Sequence, residues 1–387
     1  MWWWGSSVDT SKNRRSQIRG SVIGSGGVSE DAVAEAFARR HAHELRFCRD
    51  ARVWYVWTGV TWRQDGGAAF KRCREAARNA ARGEEQKTRI AVGKAAFATG
   101  VEKFAKTDTA LQATAATWDS DPWLLSTPGG TVDLRTGILG AVDPEHFNTR
   151  STAVTPSDTA NCPTFRAFLE QATGGSQPLA DYLQRWFGYA LTGSIREHAL
   201  LFVYGPGGSG KGTLLHVIDK IMGTYAATAT MDTFVATQFE QHSTNLAMLN
   251  GARLVTTTET EEGRAWAEAK IKTMTGGDPV TARFMRCDNF TYDPVFKLTI
   301  SGNHKPRLRN PDSAMRRRFN VVPFLHKPAK PDLGLDAKLR AEWPAILRWM
   351  IAGCLEWQRT GLAPPGVVTE ATNEYFREQD ALVHWLT

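Results

Sequence analysis

The stretch from His198 to Ile218 limits the possible folds more than any other part of this 387-residue chain. His198 to Tyr204 is an apolar run that reads as a buried strand. It feeds Gly205-Pro206-Gly207-Gly208-Ser209-Gly210-Lys211-Gly212-Thr213, and Leu214-Leu215-His216-Val217-Ile218 then opens a helix. Strand, glycine loop and helix in that order form the context that a phosphate-binding P-loop requires. The glycines let backbone N–H groups turn inward around phosphates, and the helix N-terminus adds its positive end. Lys211 is expected to reach the terminal phosphates. One position departs from the usual pattern. Gly212 follows the lysine where Ser or Thr ordinarily meets Mg²⁺, which leaves either Thr213 or a water to serve the metal.

A Gly-Lys-Gly-Thr loop also occurs in adenylate-kinase-like nucleotide kinases, so the elements downstream have to choose between a kinase and a motor. Ala252 to Thr258 reads as a strand that ends in Glu259-Thr260-Glu261-Glu262. A strand delivering carboxylates to its C-terminal end is the Walker B arrangement, in which one acid holds Mg²⁺ through water and another polarises the attacking water. Lys297 to Ser301 is a further strand and ends at Asn303, placed to sit between the two Walker elements and position that water. Arg316-Arg317-Arg318 precedes the apolar strand Phe319 to Phe324. An arginine there can serve as a finger on a neighbouring subunit's γ-phosphate, which implies a ring. Between these elements, Val280 to Met285, the turn Arg286-Cys287-Asp288-Asn289 and Phe290-Thr291-Tyr292 read as a β-hairpin with basic groups at its tip.

Length predicts two to three domains at about 150 residues each. Composition is that of a globular chain, with 42% hydrophobic and 22% charged residues, which excludes fibrous, collagen-like and wholly disordered classes. No run approaches the ~20 apolar residues that span a bilayer. Residues 1–26 mix Ser, Gly, Arg and Lys, lack the parts of a signal peptide, and are expected to be a disordered leader. An intracellular setting follows from these readings. The five cysteines form no C-x-x-C pair, so neither a disulfide framework nor a zinc ribbon is expected. A net charge of +7 becomes, beside a nucleotide site, a pointer to a polyanionic partner. The 14 tryptophans suit either large cores or base-stacking surfaces.

Ahead of the glycine loop, Ser29 begins a helix with Glu30 and Asp31 in its first turn, and Val53 to Trp62 reads as a small hairpin. Ala68 to Lys106 is helical and basic, either a solvated face or a surface that tracks a phosphate backbone. Asp121 to Gly137 has hairpin grammar. A helical stretch from Pro163 to Thr192 follows and ends at Gly193.

The order and spacing of these elements resemble the superfamily 3 helicases of the AAA+ class, and more closely the phage and plasmid primase-helicases related to the poxvirus primase-helicase. The resemblance is carried by the glycine loop, Arg253-Leu254-Val255 through Glu259-Thr260-Glu261-Glu262-Gly263, Ile271-Lys272 through Thr275-Gly276-Gly277-Asp278, Asn303-His304-Lys305-Pro306 and Arg317-Arg318-Phe319. It extends outward to Leu134-Arg135-Thr136-Gly137, Cys162-Pro163, Tyr182 to Gly193 and the closing segments Leu339 to Glu342, Ile346 to Met350 and Gly361 to Pro365, covering about residues 29–387.

The resemblance implies an α/β fold: an AAA+ P-loop NTPase core at 196–326 with a central, largely parallel sheet and flanking helices. A mixed α/β and helical region at 27–195 would precede it and a helical tail at 327–387 would follow. It implies an ATP-dependent DNA helicase of phage or plasmid replication, working in the cytoplasm of a bacterial host as a ring, typically a hexamer moving 3′ to 5′ on single-stranded DNA. ATP and Mg²⁺ are its cofactors; its partners are single-stranded or forked DNA, further copies of itself and replication proteins, with no membrane. Lys211 would bind the β- and γ-phosphates, and Glu259 with Glu261 or Glu262 would handle Mg²⁺ and water. Asn303 would sense the γ-phosphate, and Arg317 or Arg318 would be the finger. Thr213 and Glu259 are the candidate metal ligands. Lys272 and Asp278 belong to the family's motif between strand and sensor. Arg283, Arg286 and Lys272 are the candidate DNA contacts, with Arg286 at the hairpin tip. The acidic and histidine motifs of a polymerising primase find no counterpart before residue 120, so no primer synthesis is expected. The tail is expected to stop short of the winged helix into which the family often continues. The alternatives are a nucleotide kinase, suggested by Gly210 to Thr213, and a DNA- or ATP-binding remnant or interference protein that does not hydrolyse, suggested by Gly212.

Overall fold

The computed structural model describes residues 28–236, 244–258, 265–286, 288–309 and 312–386, with side chains through Gln379. The expected leader and the acidic segment from Glu259 to Glu262 lie outside the described residues, as does Cys287. The chain forms two units, one from residues up to 42 together with 66–112, the other from 43–65 together with 113–387.

The first unit is helical: α1 (Glu30–His41), α2 (Ala68–Ala80), α3 (Gln86–Val92) and α4 (Ala95–Ala105). Ser29 caps α1, its hydroxyl accepting from the Ala32 N–H at 3.2 Å, and Glu30 and Asp31 complement the positive helix end. Val33, Ala34, Phe37 and Ala38 form the buried stripe of α1, and Ala98, Val101 and Ala105 that of α4. The basic stretch from Ala68 is three helices rather than one. Among its cations Lys71, Arg74, Arg78, Lys87 and Arg89 are exposed.

The second unit begins with a small sheet of β1 (Leu45–Cys48), β2 (Val53–Trp57), β3 (Trp62–Gln64) and β4 (Gln112–Ala113) in the order β3-β2-β1-β4. β5 (Leu124–Thr127) and β6 (Gly130–Asp133) form the expected hairpin, which β7 (Ile138–Gly140) extends into an antiparallel meander. Next come α5 (Pro163–Ala172) and α6 (Gln177–Ala190), where the sequence predicts one helical stretch. The break lies at Thr173-Gly174-Gly175-Ser176. Thr173 turns its hydroxyl back to Leu169 O at 2.8 Å, and both glycines take positive φ, a conformation that ends helices.

The central sheet contains β8 (Leu200–Tyr204), β9 (Ala226–Thr228), β10 (Leu254–Thr258), β13 (Lys297–Gly302) and β14 (Phe319–Pro323). Its order is β14-β8-β13-β10-β9, and every pairing is parallel. Helices α7 (Lys211–Met222), α8 (Thr244–Ala247), α9 (Glu268–Gly276), α10 (Ser313–Arg316), α11 (Leu335–Ala341), α12 (Trp343–Thr360) and α13 (Gly366–Leu386) complete the unit, with the hairpin of β11 (Val280–Ala282) and β12 (Phe290–Tyr292). β8 is apolar throughout because both of its faces are covered. Leu201 and Val203 point into a core shared with α6, α7 and α12. Leu200 and Phe202 point into a second core that contains Trp266, Phe319 and Tyr375. Trp54, Trp62, Trp186, Trp266 and Trp357 are all fully buried, so much of the high tryptophan count goes into cores.

Two contacts fix α6 in this unit. Gly188 of α6 and Gly353 of α12 meet so closely that a Cβ on Gly188 would lie 2.1 Å from Cys354 N, and one on Gly353 would lie 2.1 Å from Gln184 O. At the other contact the negative C-terminal end of α6 meets two buried cations. Arg253 donates to Leu191 O at 2.7 Å, and the Lys297 ammonium donates to Thr192 O. Burial holds the Lys297 ammonium well below its usual pKa. Among the described residues no helix is long and apolar enough to cross a membrane.

Candidate nucleotide site

The glycine loop leaves the C-terminal end of β8 and enters α7, as the sequence predicts. Gly210 sits at φ +93°, and a Cβ there would lie 2.9 Å from the Phe168 ring of α5. Both facts demand glycine at the turn. Helix α5 is itself held from below, because the Glu342 carboxylate accepts from the N–H groups of Thr164 and Phe165, each at 2.9 Å.

Lys211 is the first residue of α7 and is 8% exposed. Its ammonium donates to Gly205 O at 2.6 Å, Pro206 O at 2.9 Å and Asn303 Oδ1 at 3.0 Å. Desolvation, with a smaller contribution from the Lys327 charge, lowers its pKa. The ammonium is therefore held by neutral oxygens where an anion would suit it better. Asn303 follows β13, which lies between β8 and β10, so the lysine strand and the acidic strand flank the Asn strand. At the end of β10, Thr258 Oγ1 lies 3.2 Å from Ser301 Oγ of β13.

These groups line one cleft of about 660 Å³. It is lined by the glycine loop with Thr213, by Thr258, Ser301 and Asn303 from the sheet, and by Phe168 and Gln171 of α5 with Lys330 and Asp332. That volume lies within the range of small-molecule sites. Thr213 is half-buried and lines the cleft, while a Cβ on Gly212 would meet nothing within 4 Å. Among the described residues no group of three or more His, Cys, Asp or Glu gathers as a metal cluster. The hydroxyl of Thr213 is a hard oxygen donor of the type Mg²⁺ takes alongside phosphates and water. The expected acids Glu259 and Glu261 lie outside the described residues.

The two candidate finger arginines differ. Arg318 is 8% exposed, donates from Nε to Thr275 Oγ1 at 3.1 Å and from Nη1 to Ala314 O at 2.9 Å, and so is fixed against α9 and α10. Arg317 is exposed. Asp312 caps α10, accepting from the Met315 N–H at 2.8 Å, and also pairs with Lys272. Lys272, expected beside the hairpin arginines as a DNA contact, is thus tied to the cap of α10. Asp278 lies near Arg318, within the turn that follows α9.

The hairpin pairs Val280 with Tyr292 and Ala282 with Phe290. Pairing stops there, so Arg283, Phe284 and Met285 belong to the connecting loop rather than to a strand. Arg283 and Arg286 are exposed in that loop, and Arg286 takes φ +62°. Sequence reasoning missed Gln171, Phe168, Thr258, Ser301, Lys330 and Asp332 as cleft residues. None carries a local signal, because each reaches the cleft only through packing of distant elements.

Residues 34–174 match the family described as "D5 N terminal like", and residues 203–318 match a family of unknown function, DUF5906. A helicase-named protein of Frog virus 3 (isolate Goorha), 022R, is 27% identical over 210 residues, which is 49% of this chain and 22% of the relative. The helicase-named L207/L206 of Acanthamoeba polyphaga mimivirus is 23% identical over 289 residues, 68% of this chain and 30% of the relative. The chain thus spans less than a third of the length of either relative. Among solved structures, an apo form of the NrS-1 C-terminal region superposes with a TM-score of 0.53 at 12% identity, covering 89% of this chain and 75% of that one. That likeness extends the fold across both the region before the glycine loop and the parallel sheet. A D5-like region leading into a parallel sheet, with helicase-named viral proteins similar over half to two thirds of the chain, supports a likeness to the phage and viral primase-helicase-like proteins.

Proposed function

We propose that this chain is the ATP-hydrolysing motor of a superfamily 3 DNA helicase with an AAA+ P-loop core, acting as a ring on single-stranded DNA. The observation that carries the reading is the convergence of Lys211, at the start of α7, and Asn303, just after β13, 3.0 Å apart on a cleft lined by the glycine loop. In this reading the β- and γ-phosphates replace Gly205 O, Pro206 O and Asn303 Oδ1 as partners of Lys211. The loop N–H groups and the N-terminus of α7 add positive potential. Freed from the lysine, the Asn303 amide faces the γ-phosphate and the attacking water. The Thr213 hydroxyl would help hold Mg²⁺ beside the phosphates, where the ion would supply charge neutralisation. Base and ribose lie toward Phe168, Gln171, Lys330 and Asp332.

Arg317 is the finger of this reading. Arg318 is committed to Thr275 and Ala314, whereas Arg317 is left exposed to reach a neighbouring subunit's γ-phosphate. Arg283 and Arg286 in the hairpin loop, and the exposed cations of α2 and α3, hold DNA phosphates. Neither the kinase reading nor the non-hydrolysing reading draws on Asn303 and Arg317 together.

The test is the ATPase rate with and without single-stranded DNA across protein concentration, for wild type, Lys211→Ala and Arg317→Ala. The expected result is a DNA-stimulated rate that rises with concentration and vanishes in both variants. ATP binding without turnover at any concentration would replace the motor with a non-hydrolysing binder, and phosphoryl transfer to a nucleoside monophosphate would replace it with a kinase.

A further inference from the structure

Helix α13 presents one stripe to the rest of its unit, and the polar members of that stripe reach the backbone of the loop after Asn303 and of β14. Thr372, Tyr375, Phe376 and Gln379 recur at helical spacing and are all buried. Gln379 Oε1 accepts from the Leu308 N–H at 3.0 Å. The Tyr375 hydroxyl donates to Pro306 O and accepts from Trp266 Nε1 at 2.9 Å. Thr372 Oγ1 accepts from the Val321 N–H at 2.9 Å. Outside the stripe, Glu378 pairs with Lys305 at 3.0 Å, and the Lys305 ammonium lies 5.1 Å over the ring of Tyr204, the residue before Gly205. Arg316, beside Arg317, lies 5.2 Å over the Phe376 ring.

The choice of targets is what makes this more than packing. A helix that only covered the edge of a sheet would need an apolar stripe. Here buried, directional hydrogen bonds fasten the loop just after Asn303, at Pro306 and Leu308. They also fasten the buried indole of Trp266. Buried polar groups of this kind hold a single geometry, since any other leaves a donor or acceptor unsatisfied.

We infer that Tyr375 and Gln379 are positioning residues: α13 is a strap that holds the Asn303 loop and the Trp266 side chain in register for hydrolysis without touching nucleotide, so that displacement of α13 turns the site off. The inference rests on the proposed nucleotide site for its effect on turnover, but its structural half stands apart from that reading.

The experiment compares wild type with Tyr375→Phe, Gln379→Leu and Gln379→Glu, the last keeping an acceptor for the Leu308 N–H. Amide hydrogen exchange is followed without nucleotide, together with the melting temperature, nucleotide affinity and DNA-stimulated turnover. Tyr375→Phe and Gln379→Leu are expected to speed exchange across residues 303–309 about tenfold, consistent with loss of a buried bond. They should lower turnover about tenfold while nucleotide affinity stays within about twofold, and Gln379→Glu should recover most of both losses. Unchanged exchange at 303–309 would overturn the inference, as would faster exchange spread evenly over the chain or affinity falling in step with turnover. A wild type that hydrolyses no ATP, with exchange still locally faster in the variants, would overturn the proposed function and retain the strap.

Discussion

At the scale of single residues, the arginine triplet separates roles that its sequence leaves equivalent. Arg317 and Arg318 are neighbours of one type, and only the fold shows that Arg318 turns inward to Thr275 and Ala314 while Arg317 stays exposed. Removing a buried guanidinium strands its partners, so Arg318→Ala is expected to lose on the order of 2 kcal/mol of stability. Arg317→Ala should melt with the wild type, because surface substitutions change stability by about 0.5 kcal/mol or less. Calorimetry of the two variants checks this, and equal losses would contradict the assignment. Gly212 gives a second residue-scale expectation. Open space surrounds the position a Cβ would take, so Gly212→Ser restores the usual hydroxyl after Lys211 without a clash. The variant should need several-fold less Mg²⁺ for half-maximal turnover, read from a Mg²⁺ titration; no change would leave Thr213 as a sufficient ligand.

At the scale of elements, α7 and β10 meet through a carboxyl that the proposed phosphate chemistry does not use. Asp219 accepts from Thr256 Oγ1 at 2.6 Å, while its other oxygen is buried with no partner among the described residues. Burial pushes its pKa up from 3.8 to about 6. The folded state therefore holds the proton more tightly than the unfolded chain, and stability falls as pH rises from about 4 to 6. Above that window the ionised carboxylate carries a penalty on the order of 2 kcal/mol. Asp219→Asn should keep the Thr256 bond and raise stability by about 1–2 kcal/mol at pH 8, with the gain shrinking below pH 4. Denaturant titrations at the two pH values check it. Elements were the level at which the sequence was most legible. The strand, glycine loop and helix, the hairpin of β5 and β6 and the Ser29 cap are each written in local chemistry. What stayed hidden depends on distant partners. The break after Ala172 needs Thr173 to turn back on α5, and the bonds of α13 to Pro306 and Leu308 join residues about 70 positions apart.

At the scale of the whole molecule, the proposed DNA contacts of the first unit distinguish a track for phosphates from the solvated face that its basic helices would otherwise be. Lys71, Arg74 and Arg78 lie on one exposed face of α2 at spacings of three and four residues. A track makes a quantitative demand that a solvated face does not. Each phosphate neutralised on a single strand contributes about −0.7 to the slope of log affinity against log salt. If all three cations touch phosphates, replacing them together with glutamine should lower affinity for single-stranded DNA and flatten that slope by about 2. The ATPase rate measured without DNA should stay at the wild-type value, because none of the three lies among the residues lining the nucleotide cleft. Arg283→Gln with Arg286→Gln at the hairpin loop is the comparison: it should flatten the slope by a little over 1 and remove DNA stimulation. A first-unit variant that binds with the wild-type slope while the hairpin variant does not would confine the DNA contacts of this chain to the second unit.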